Sequence, residues 1–247
     1  MNLDEKERIE IEYWEKNNFE SPVKFTKGNF LNKIQECRNF DYKVSKNIDF
    51  IKNKKNVLEV GAGQGWASCF LKRYYLPKSK FTVTDISPHA IVSIVNWEKT
   101  FDVTIEKSYA SKSYEIDEAD NQFDLIFCYA AAHHFVLYEK TLEELKRVLT
   151  SDGHIIFMYE PTCSKIMYPL HYYYVNKMPH STPEDVLVPS KIKAICDKLK
   201  LNYTNNYDAQ QVLLRNLPIG IYFTILRKLK FLQKWLPSSS DLIFIKQ

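Results

Sequence analysis

Cysteines are few in this sequence, and they are not arranged in pairs. The five cysteines are widely spaced without a Cys-x-x-Cys pair, so the sequence indicates neither a disulfide framework nor a zinc site. We therefore expect no metal ion. Because free thiols suit a reducing compartment, we also expect a cytoplasmic protein. The charged start MNLDEKERIEIEYW lacks the basic and then apolar order of a signal peptide, and no uncharged apolar run approaches the ~20 residues that cross a bilayer. We therefore expect neither secretion nor a membrane span.

Glycine is also scarce, with 6 residues against 16 tyrosines, 15 phenylalanines and 4 tryptophans. This aromatic content suits a pocket for a planar or amphipathic ligand, and it suits a bulky core equally well. Hydrophobic residues make up 45% of the chain and charged residues 26%, which argues against disordered, collagen-like and coiled-coil classes. A chain of 247 residues is long enough for one large domain with its own core.

No large excess of one charge is present. The formal net charge is +4, so the sequence as a whole does not indicate a nucleic-acid partner. The excess lies near the C-terminus, where 208–237 contain five basic residues and one acidic residue. Within that stretch, 219–236 have helical spacing, and the apolar stripe consists of Tyr222, Leu226, Leu229, Leu232 and Leu236. Three roles fit such a basic amphipathic helix. It can pack on the sheet, which is the commonest role, form the contact of a homodimer, or lie on an anionic membrane. We expect the protein to be a monomer or a homodimer.

Short apolar strands alternate with segments of helical spacing from Asn56 onward. We predict strands at NVLEV, KFTVTD, DVTIEK, FDLIFCYA and HIIFMYE, and helices at WASCFLKRYY, ISPHAIVSIVNWEK and LYEKTLEELKRVL. A helix over 190–199, a weak strand LNYTNNY and a strong strand DLIFIK follow. Helical spacing also occurs over 3–19 and 30–40. Strands that alternate with helices predict an α/β protein with a parallel sheet.

The first predicted strand runs into a glycine-rich turn, Glu59-Val60-Gly61-Ala62-Gly63-Gln64-Gly65, and a helix begins directly after it. Open α/β sheets bind their ligands at such a place, beyond the carboxyl end of a strand. A dinucleotide is disfavoured, because Trp66 stands where close helix–strand packing needs Gly or Ala and because Glu59 would repel a pyrophosphate. A cationic ligand removes the second objection, since a carboxylate attracts an ammonium or sulfonium group.

Asp85 ends the second predicted strand, 24 residues after Gly61. Its carboxylate accepts hydrogen bonds at the place where a ribose presents its paired hydroxyls. The glycine turn and Asp85 together therefore predict a site for a cationic nucleoside.

Four segments together, LEVGAGQG, TVTDIS, FDLIFCYAAAHHF and LKRVLTSDGHIIF, resemble the motifs of class I S-adenosylmethionine-dependent methyltransferases of the small-molecule type. The resemblance covers about 56–160. It implies a Rossmann-like, doubly wound sheet of seven strands that is mostly parallel with an antiparallel last strand, which DLIFIK would supply. It also implies S-adenosyl-L-methionine as the cofactor and S-adenosyl-L-homocysteine as the product.

The resemblance further implies roles for single residues around the cofactor. The glycine turn would surround the methionine part, Asp85 would bind the ribose hydroxyls, and Ile86 would pack against adenine. After the third strand many members have an acidic residue for the adenine amino group, and this sequence departs from that pattern. The predicted cofactor-binding residues are Glu59, Gly61, Ala62, Gly63, Asp85, Ile86, Tyr109, Ala110 and Tyr129.

Methyl transfer is a displacement at carbon, so the protein must align the acceptor with the methyl group. A hydroxyl or ammonium acceptor also needs a base to take its proton. The candidates, which follow strands four and five, are His133, His134 and Glu160. Each has a structural alternative, because one histidine of such a pair often only packs and a glutamate can cap a turn. The residues predicted to contact the acceptor are Trp66, His171, Tyr172 and Tyr173, and Tyr174 and His180 lie in the same insert.

The regular alternation breaks after Pro161 into a stretch rich in tyrosine and proline, which indicates a lid on the acceptor side. We interpret the chain as one methyltransferase domain, 1–247. It divides into a helical N-terminal cap (1–50), a cofactor-binding core (51–160), two acceptor-side inserts (161–187 and 208–237) and a final strand (238–247).

We expect an enzyme that moves a methyl group to an oxygen or nitrogen of a small molecule, such as a sugar, a polysaccharide precursor or another secondary metabolite. Strand four does not end in an NPPY-like tetrapeptide, and neither paired cysteines nor a paired-glutamate loop is evident, which disfavours several nucleic-acid and protein acceptors. Two alternatives stay open: an RNA or protein methyltransferase that uses the basic C-terminal segment, and a non-catalytic interaction module with the same fold. A nicotinamide-dependent oxidoreductase is disfavoured mainly by Glu59 and Trp66.

Overall fold

Seven strands form one sheet in the computed structural model, which describes residues 2–17, 24, 26–177, 184–210 and 217–247. The strands are β1 (Asn56–Val60), β2 (Lys80–Asp85), β3 (Lys107–Ala110), β4 (Phe123–Tyr129), β5 (Leu149–Thr162), β6 (Leu201–Tyr207) and β7 (Ser238–Lys246). Their order in the sheet is β3-β2-β1-β4-β5-β7-β6. The last strand, β7, is antiparallel to both of its neighbours, whereas the pairs from β3 to β5 are parallel. The predicted Rossmann-like fold with an antiparallel last strand is confirmed.

Helices cover both faces of this sheet. They are α1 (Leu3–Lys16), α2 (Lys27–Lys46), α3 (Ile48–Ile51), α4 (Trp66–Tyr74), α5 (Pro88–Ile91), α6 (Ile94–Phe101), α7 (Tyr138–Val148), α8 (Tyr168–Val175), α9 (Pro189–Leu199) and α10 (Leu217–Lys228), with 3-10 turns at Ala132–His134 and Lys230–Lys234. Alternate strand residues serve opposite faces, so Val57 packs in one core with α4 and α6, and Leu58 packs in the other with α7 and α9.

The third strand does not lie where the sequence predicted it. The alternating residues of DVTIEK form a turn after α6, and β3 begins only at Lys107. Asp102 ends α6 in the left-handed conformation with φ 53°, and the carboxylate of Glu98 accepts a hydrogen bond from the backbone N–H of Ile105 at 2.7 Å. Val103 and Ile105 pack against the core from this turn. Their alternation therefore reflects a buried helix end instead of a strand.

The N-terminal helices are joined to the sheet by a buried ionic cluster. Lys43 of α2 is fully buried, and its Nζ lies 3.2 Å from Asp208 Oδ2 and 3.0 Å from Asp241 Oδ1. Asn47 donates from its side chain to the other oxygen of Asp241 at 3.1 Å. Because one cation and two carboxylates are removed from water together, this contact holds α2 against β7.

The predicted helix over 219–236 is shorter and more exposed than its stripe suggested. The helix α10 ends at Lys228, and a 3-10 turn follows. Of the predicted stripe, Leu226 is buried, Leu229 is exposed, and Tyr222, Leu232 and Leu236 are half-buried. The predicted helix 3–19 ends at Lys16, and Phe19 lies outside the described residues. Among the helices that the structure describes, none combines the length and apolar character needed to cross a bilayer.

Candidate active site

A cavity of about 350 Å³ lies beyond the carboxyl ends of β1, β2 and β4. Its wall combines the glycine turn, the end of β2, the segment after β3, the turn after β4 and one face of α1. The first helix therefore covers the edge at which open α/β sheets bind ligands.

The glycine turn needs glycine at both positions that line this cavity. Gly61 has φ 68° and Gly63 has φ 53°, which side chains rarely adopt. A Cβ on Gly61 would lie 3.0 Å from the Cβ of Ala131, and a Cβ on Gly63 would lie 2.9 Å from the ring of Trp14. The turn is thus packed directly between α1 and the turn after β4.

Two predicted carboxylates hold the backbone around the turn. Asp85 lines the cavity and accepts hydrogen bonds from the N–H groups of Gly63 at 2.7 Å and Ser87 at 2.9 Å. Burial raises the pKa of Asp85 to about 6. Glu59 lies behind the turn, where it accepts from the N–H of Ser68 at 3.1 Å, and burial raises its pKa to about 8. Among the remaining predicted cofactor contacts, Ala62, Ile86 and Tyr129 line the cavity.

The residues predicted for the adenine end occupy a different place. Tyr109 and Ala110 belong to β3 and do not line the cavity, whose wall here is formed by Ser111–Tyr114. The reason is that β3 begins later in the chain than the predicted strand DVTIEK, so the segment that follows the strand is also later. Lys112 Nζ lies 2.9 Å from Glu7 Oε2, and the hydroxyl of Tyr114 donates to the other oxygen of Glu7. These contacts attach α1 to the segment after β3.

The sequence predicted a helical N-terminal cap, but it did not single out the following three residues of α1 as part of the site. Glu7, Glu10 and Trp14 line the cavity and follow one another at spacings of three and four residues, which places them on one side of a helix. Burial, reinforced by the charges of Asp85 and Glu184, raises the pKa of Glu10 to about 8. The helical spacing of these two acidic residues and a tryptophan was the sequence signal that could have predicted this face.

An aromatic group forms the floor of the cavity beside β4. Tyr129 stacks on Tyr159 with 5.7 Å between ring centroids and meets the edge of Trp66 at 5.6 Å. The hydroxyl of Tyr129 donates to Glu36 at 2.9 Å and accepts from Asn39 at 2.7 Å, so both sides of it are satisfied. Trp66, a predicted acceptor contact, lines the cavity as a nearly buried side chain.

Glu160 lies beneath the turn after β4 and does not line the cavity. Its carboxylate is fully buried and accepts from the N–H groups of Ala131 at 3.0 Å, Ala132 at 2.9 Å and His133 at 3.1 Å, and from His133 Nδ1 at 2.9 Å. A bulge at Tyr159, where φ is 61°, directs Glu160 to this turn. The thiol of Cys128 donates to the same carboxylate at 3.7 Å. A carboxylate with five donors is a positioning group, so the geometry does not support Glu160 as the base.

The two histidines after β4 have different surroundings. Burial lowers the pKa of His133, but the hydrogen bond and charge of Glu160, together with the charges of Glu184 and Glu10, raise it above the usual value. His134 lines the cavity, and burial together with the charge of His133 lowers its pKa well below the usual value. Of the predicted catalytic set, His134 is therefore the member that reaches the cavity with a neutral ring.

The predicted acceptor contacts of the first insert lie apart from the cavity. His171, Tyr172 and Tyr173 are on α8, which buries no residue, and none of the three lines the cavity. The hydroxyl of Tyr168 at the start of α8 donates to Asp185 at 2.8 Å. His180 lies outside the described residues.

Comparison with known proteins identifies the class. Residues 58–157 match the family model of the methyltransferase domain, in agreement with the resemblance to class I S-adenosylmethionine-dependent methyltransferases. S-adenosylmethionine is the cofactor of the class. No curated protein matches the chain.

Solved structures with the same fold match between 84% and 99% of the chain at low identity. A Galdieria sulphuraria protein assigned as a sarcosine dimethylglycine methyltransferase is 16% identical, with 99% of each chain covered and a TM-score of 0.64. Geranyl diphosphate methyltransferase in complex with S-adenosylmethionine is 7% identical over 86% of each chain, also with a TM-score of 0.64. The YcgJ protein of Bacillus subtilis is 17% identical over 84% of this chain and 99% of its own, with a TM-score of 0.60. At these identities the likeness shows the fold alone.

Proposed function

We propose that this protein is a cytoplasmic enzyme that transfers a methyl group from S-adenosylmethionine to an oxygen or nitrogen of a small molecule. One observation carries the proposal: the glycine turn, Asp85 and His134 line one cavity under the cover of α1. A cavity covered by a helix admits a small acceptor more readily than a folded polymer. A sugar, a polysaccharide precursor or another secondary metabolite fits this description.

The roles of the residues follow from where they lie. S-adenosylmethionine supplies a methyl group on a positive sulfur, which leaves as the thioether of S-adenosylhomocysteine when the acceptor's lone pair attacks the carbon. The backbone at Gly61 and Gly63 permits close approach of the methionine part, and the Asp85 carboxylate accepts the ribose hydroxyls. Glu7 and Trp14 keep α1 over the site, which excludes water from the reacting atoms. His134 contacts the acceptor, and Glu160 positions the turn that carries His134.

Glu59 has a supporting role in this proposal. Its carboxyl group is buried behind the turn, and its pKa of about 8 makes the neutral form the main one at pH 7. A bound ammonium or sulfonium group favours the charged carboxylate and would lower that pKa. Cofactor binding is therefore expected to release a proton from Glu59.

Transfer of an isotope-labelled methyl group tests the proposed function. The full chain is incubated with methyl-labelled S-adenosylmethionine and separate pools of small hydroxyl compounds, small amines, transfer RNA and unfolded protein, and products are read by mass spectrometry. The proposal predicts label in a small-molecule pool that disappears in the Asp85→Ala variant. Label only in RNA or protein would favour the alternative acceptor class, and cofactor binding without any product would favour a non-catalytic module.

We also propose that the second insert makes peripheral contact with an anionic membrane. Ile221, Ile225, Leu229, Phe231 and Trp235 are between 45% and 63% exposed, a larger apolar surface than a packed helix leaves. The exposed basic residues beside them are Arg227, Lys228, Lys230 and Lys234. Lipid acyl chains suit the apolar side chains and anionic headgroups suit the lysines.

The first insert extends the same surface. Ser164 donates a hydrogen bond of 2.7 Å to the backbone carbonyl of Trp235, which holds the two inserts together. Ile166 and Leu170 are 79% and 63% exposed on the first insert. Contact with a membrane through both inserts would bring a lipid-linked acceptor near the cavity.

A further inference from the structure

Two histidines and a glutamate come together at the turn after β4, beside the cavity. One ligand-type atom from each of His133, His134 and Glu184 lies within 4.8 Å of the other two. Two imidazoles and one carboxylate form a common donor set for first-row transition metals. From this grouping we propose that His133, His134 and Glu184 bind a divalent transition-metal ion.

His133 is oriented as metal-binding histidines usually are. Its Nδ1 lies 2.9 Å from the fully buried carboxylate of Glu160, which also accepts from the backbone N–H of the same residue. A carboxylate on one ring nitrogen fixes the tautomer and leaves the other nitrogen as the electron-pair donor. Nε2 of His133 is therefore the atom available to a cation.

His134 has a ring nitrogen that the fold leaves without a hydrogen bond. Nδ1 of His134 is buried and has no hydrogen-bond partner in the part of the chain that the structure describes. The carboxyl group of Glu10 on α1 approaches this nitrogen to 3.5 Å. A buried, unsatisfied polar atom is costly unless something outside the chain binds it. A metal ion supplies that missing partner.

Glu184 is brought to the histidines by backbone contacts. Its own N–H donates to the side chain of Asn176 at 3.1 Å, and the N–H of Asp185 donates to the carbonyl of His133 at 2.8 Å. The second contact places the chain carrying Glu184 directly beside the histidine turn. Glu184 also lines the cavity, as His134 does, so a cation held here would be reachable by the acceptor.

The metal has a specific use in the proposed reaction. A divalent cation that coordinates an acceptor hydroxyl lowers the pKa of that hydroxyl and orients its oxygen. The hydroxyl proton would pass to solvent water, and His134 would hold the cation instead of taking that proton. This use rests on the proposed function, whereas binding of the ion does not. It also replaces the expectation of a metal-free protein, because cysteine spacing carries no signal for a histidine and glutamate site.

Cobalt titration tests the site without any turnover. The purified full chain is treated with a chelator and titrated with Co²⁺, and binding is followed by the visible absorption of the ion and by calorimetry, with Zn²⁺ as competitor. We expect saturation at one ion per chain and displacement by Zn²⁺. His134→Ala and Glu184→Gln should each weaken binding by more than about 100-fold, and Glu160→Gln should weaken it by about 10- to 100-fold through its effect on His133.

A matched histidine provides the control. His154 lies on β5 at the opposite edge of the sheet and contacts Lys54, so His154→Ala should bind Co²⁺ like the parent protein. Circular dichroism and S-adenosylmethionine binding of the same variants establish that they fold. Two results would overturn the metal site and leave the proposed function intact. One is saturable cofactor binding by the parent protein without cobalt binding. The other is equal cobalt affinity in His134→Ala, Glu184→Gln and His154→Ala. Failure of the parent to bind the cofactor would instead count against the proposed function.

Discussion

Asp85 accepts a 2.7 Å hydrogen bond from the backbone N–H of Gly63, across the ends of β2 and β1. The side chain that is expected to bind the ribose therefore also fixes the curvature of the turn that is expected to bind the methionine part. This double use makes the charge state of Asp85 decisive for cofactor affinity.

Cofactor affinity should accordingly fall in mildly acidic solution. Burial raises the pKa of Asp85 to about 6, so the carboxylate is present above that pH and becomes protonated below it. We expect the affinity for S-adenosylmethionine to fall gradually below about pH 8, where Glu59 takes up the proton that it must release on binding. Below pH 6 the affinity should fall more steeply, by up to a further factor of about 10 per pH unit, because Asp85 is then protonated as well. Calorimetric titration between pH 5 and 8 measures this.

The Asp85→Asn variant separates this effect from other titrating groups. It should bind the cofactor about 10- to 100-fold more weakly at pH 7.5, since hydrogen bonds to a charged acceptor contribute about 1.5–3 kcal/mol. Its affinity should also lose the fall centred near pH 6. Asp49→Asn, at an exposed aspartate on α3, is the control for loss of one negative charge. An unchanged pH profile in Asp85→Asn would contradict the assignment.

A single methyl group on the glycine turn should damage the site. Gly63→Ala places a Cβ 2.9 Å from the ring of Trp14 at a residue with φ 53°. We expect a loss of about 1–2 kcal/mol in the free energy of unfolding from the backbone conformation alone, with weaker cofactor binding. Gly220→Ala is the matched control, because a Cβ there meets no atom within 4 Å. That change in α10 should be neutral or stabilising by up to about 1 kcal/mol. Equal effects of the two changes in thermal unfolding would contradict the account.

Removal of the buried Lys43 should destabilise the whole domain. Lys43→Met leaves the carboxylates of Asp208 and Asp241 buried without their shared cation, at a cost of about 3–5 kcal/mol. Burial by itself raises the pKa of Asp208, but Lys43, the backbone N–H of Gln210 and Lys46 together lower the net pKa. This stabilisation is therefore present above the ordinary pKa of an aspartate and is lost as the pH falls through the lowered value.

Urea unfolding at several pH values measures the contribution of Lys43. The parent protein should lose stability toward about pH 3, whereas the Lys43→Met variant should lose less over that range. Lys193→Met removes an exposed lysine that pairs with Asp197 on α9, and it should change the free energy of unfolding by less than about 1 kcal/mol. A Lys43→Met variant as stable as Lys193→Met would show that the cluster does not hold α2 to the sheet.

Membrane contact should depend on both the apolar and the basic residues of the second insert. Phe231→Ala combined with Trp235→Ala should reduce sedimentation with vesicles that contain about one-third phosphatidylserine, because those rings are 63% and 59% exposed. Raised salt should weaken the binding further, since it screens the lysines. Tyr74→Ala, at an equally exposed ring on α4, is the control. Equal binding to neutral and anionic vesicles would contradict the electrostatic part of the proposal. Absence of binding to either kind of vesicle would contradict membrane contact altogether.

Local sequence patterns were sufficient to predict the sheet and the residues around the glycine turn. The apolar run of β1, the glycines after it and Asp85 at the end of β2 are neighbours in sequence or in adjacent units, so spacing alone places them together. The same reasoning failed at DVTIEK. Val103 and Ile105 follow the end of α6 and pack against the core there, so their alternation resembles that of a strand although no strand is formed.

The remaining parts of the site depend on contacts between distant segments. Glu160 bonds to residues 27 to 29 positions before it, and no spacing rule shows that its carboxylate would be saturated. Glu7 meets Tyr114 across 107 residues, which is why neither residue was predicted at the site although a helical cap was. His171 and Tyr172 were predicted from composition alone, and composition does not say which way an insert folds.

Calorimetric titration of the purified chain with S-adenosylmethionine and S-adenosylhomocysteine, with NADH as the control ligand, tests the central claim most directly. The account predicts saturable binding of the first two at one molecule per chain, none of NADH, and loss of binding in Asp85→Ala and Gly61→Arg variants that remain folded. Binding of NADH, or affinity retained in both variants, would contradict it.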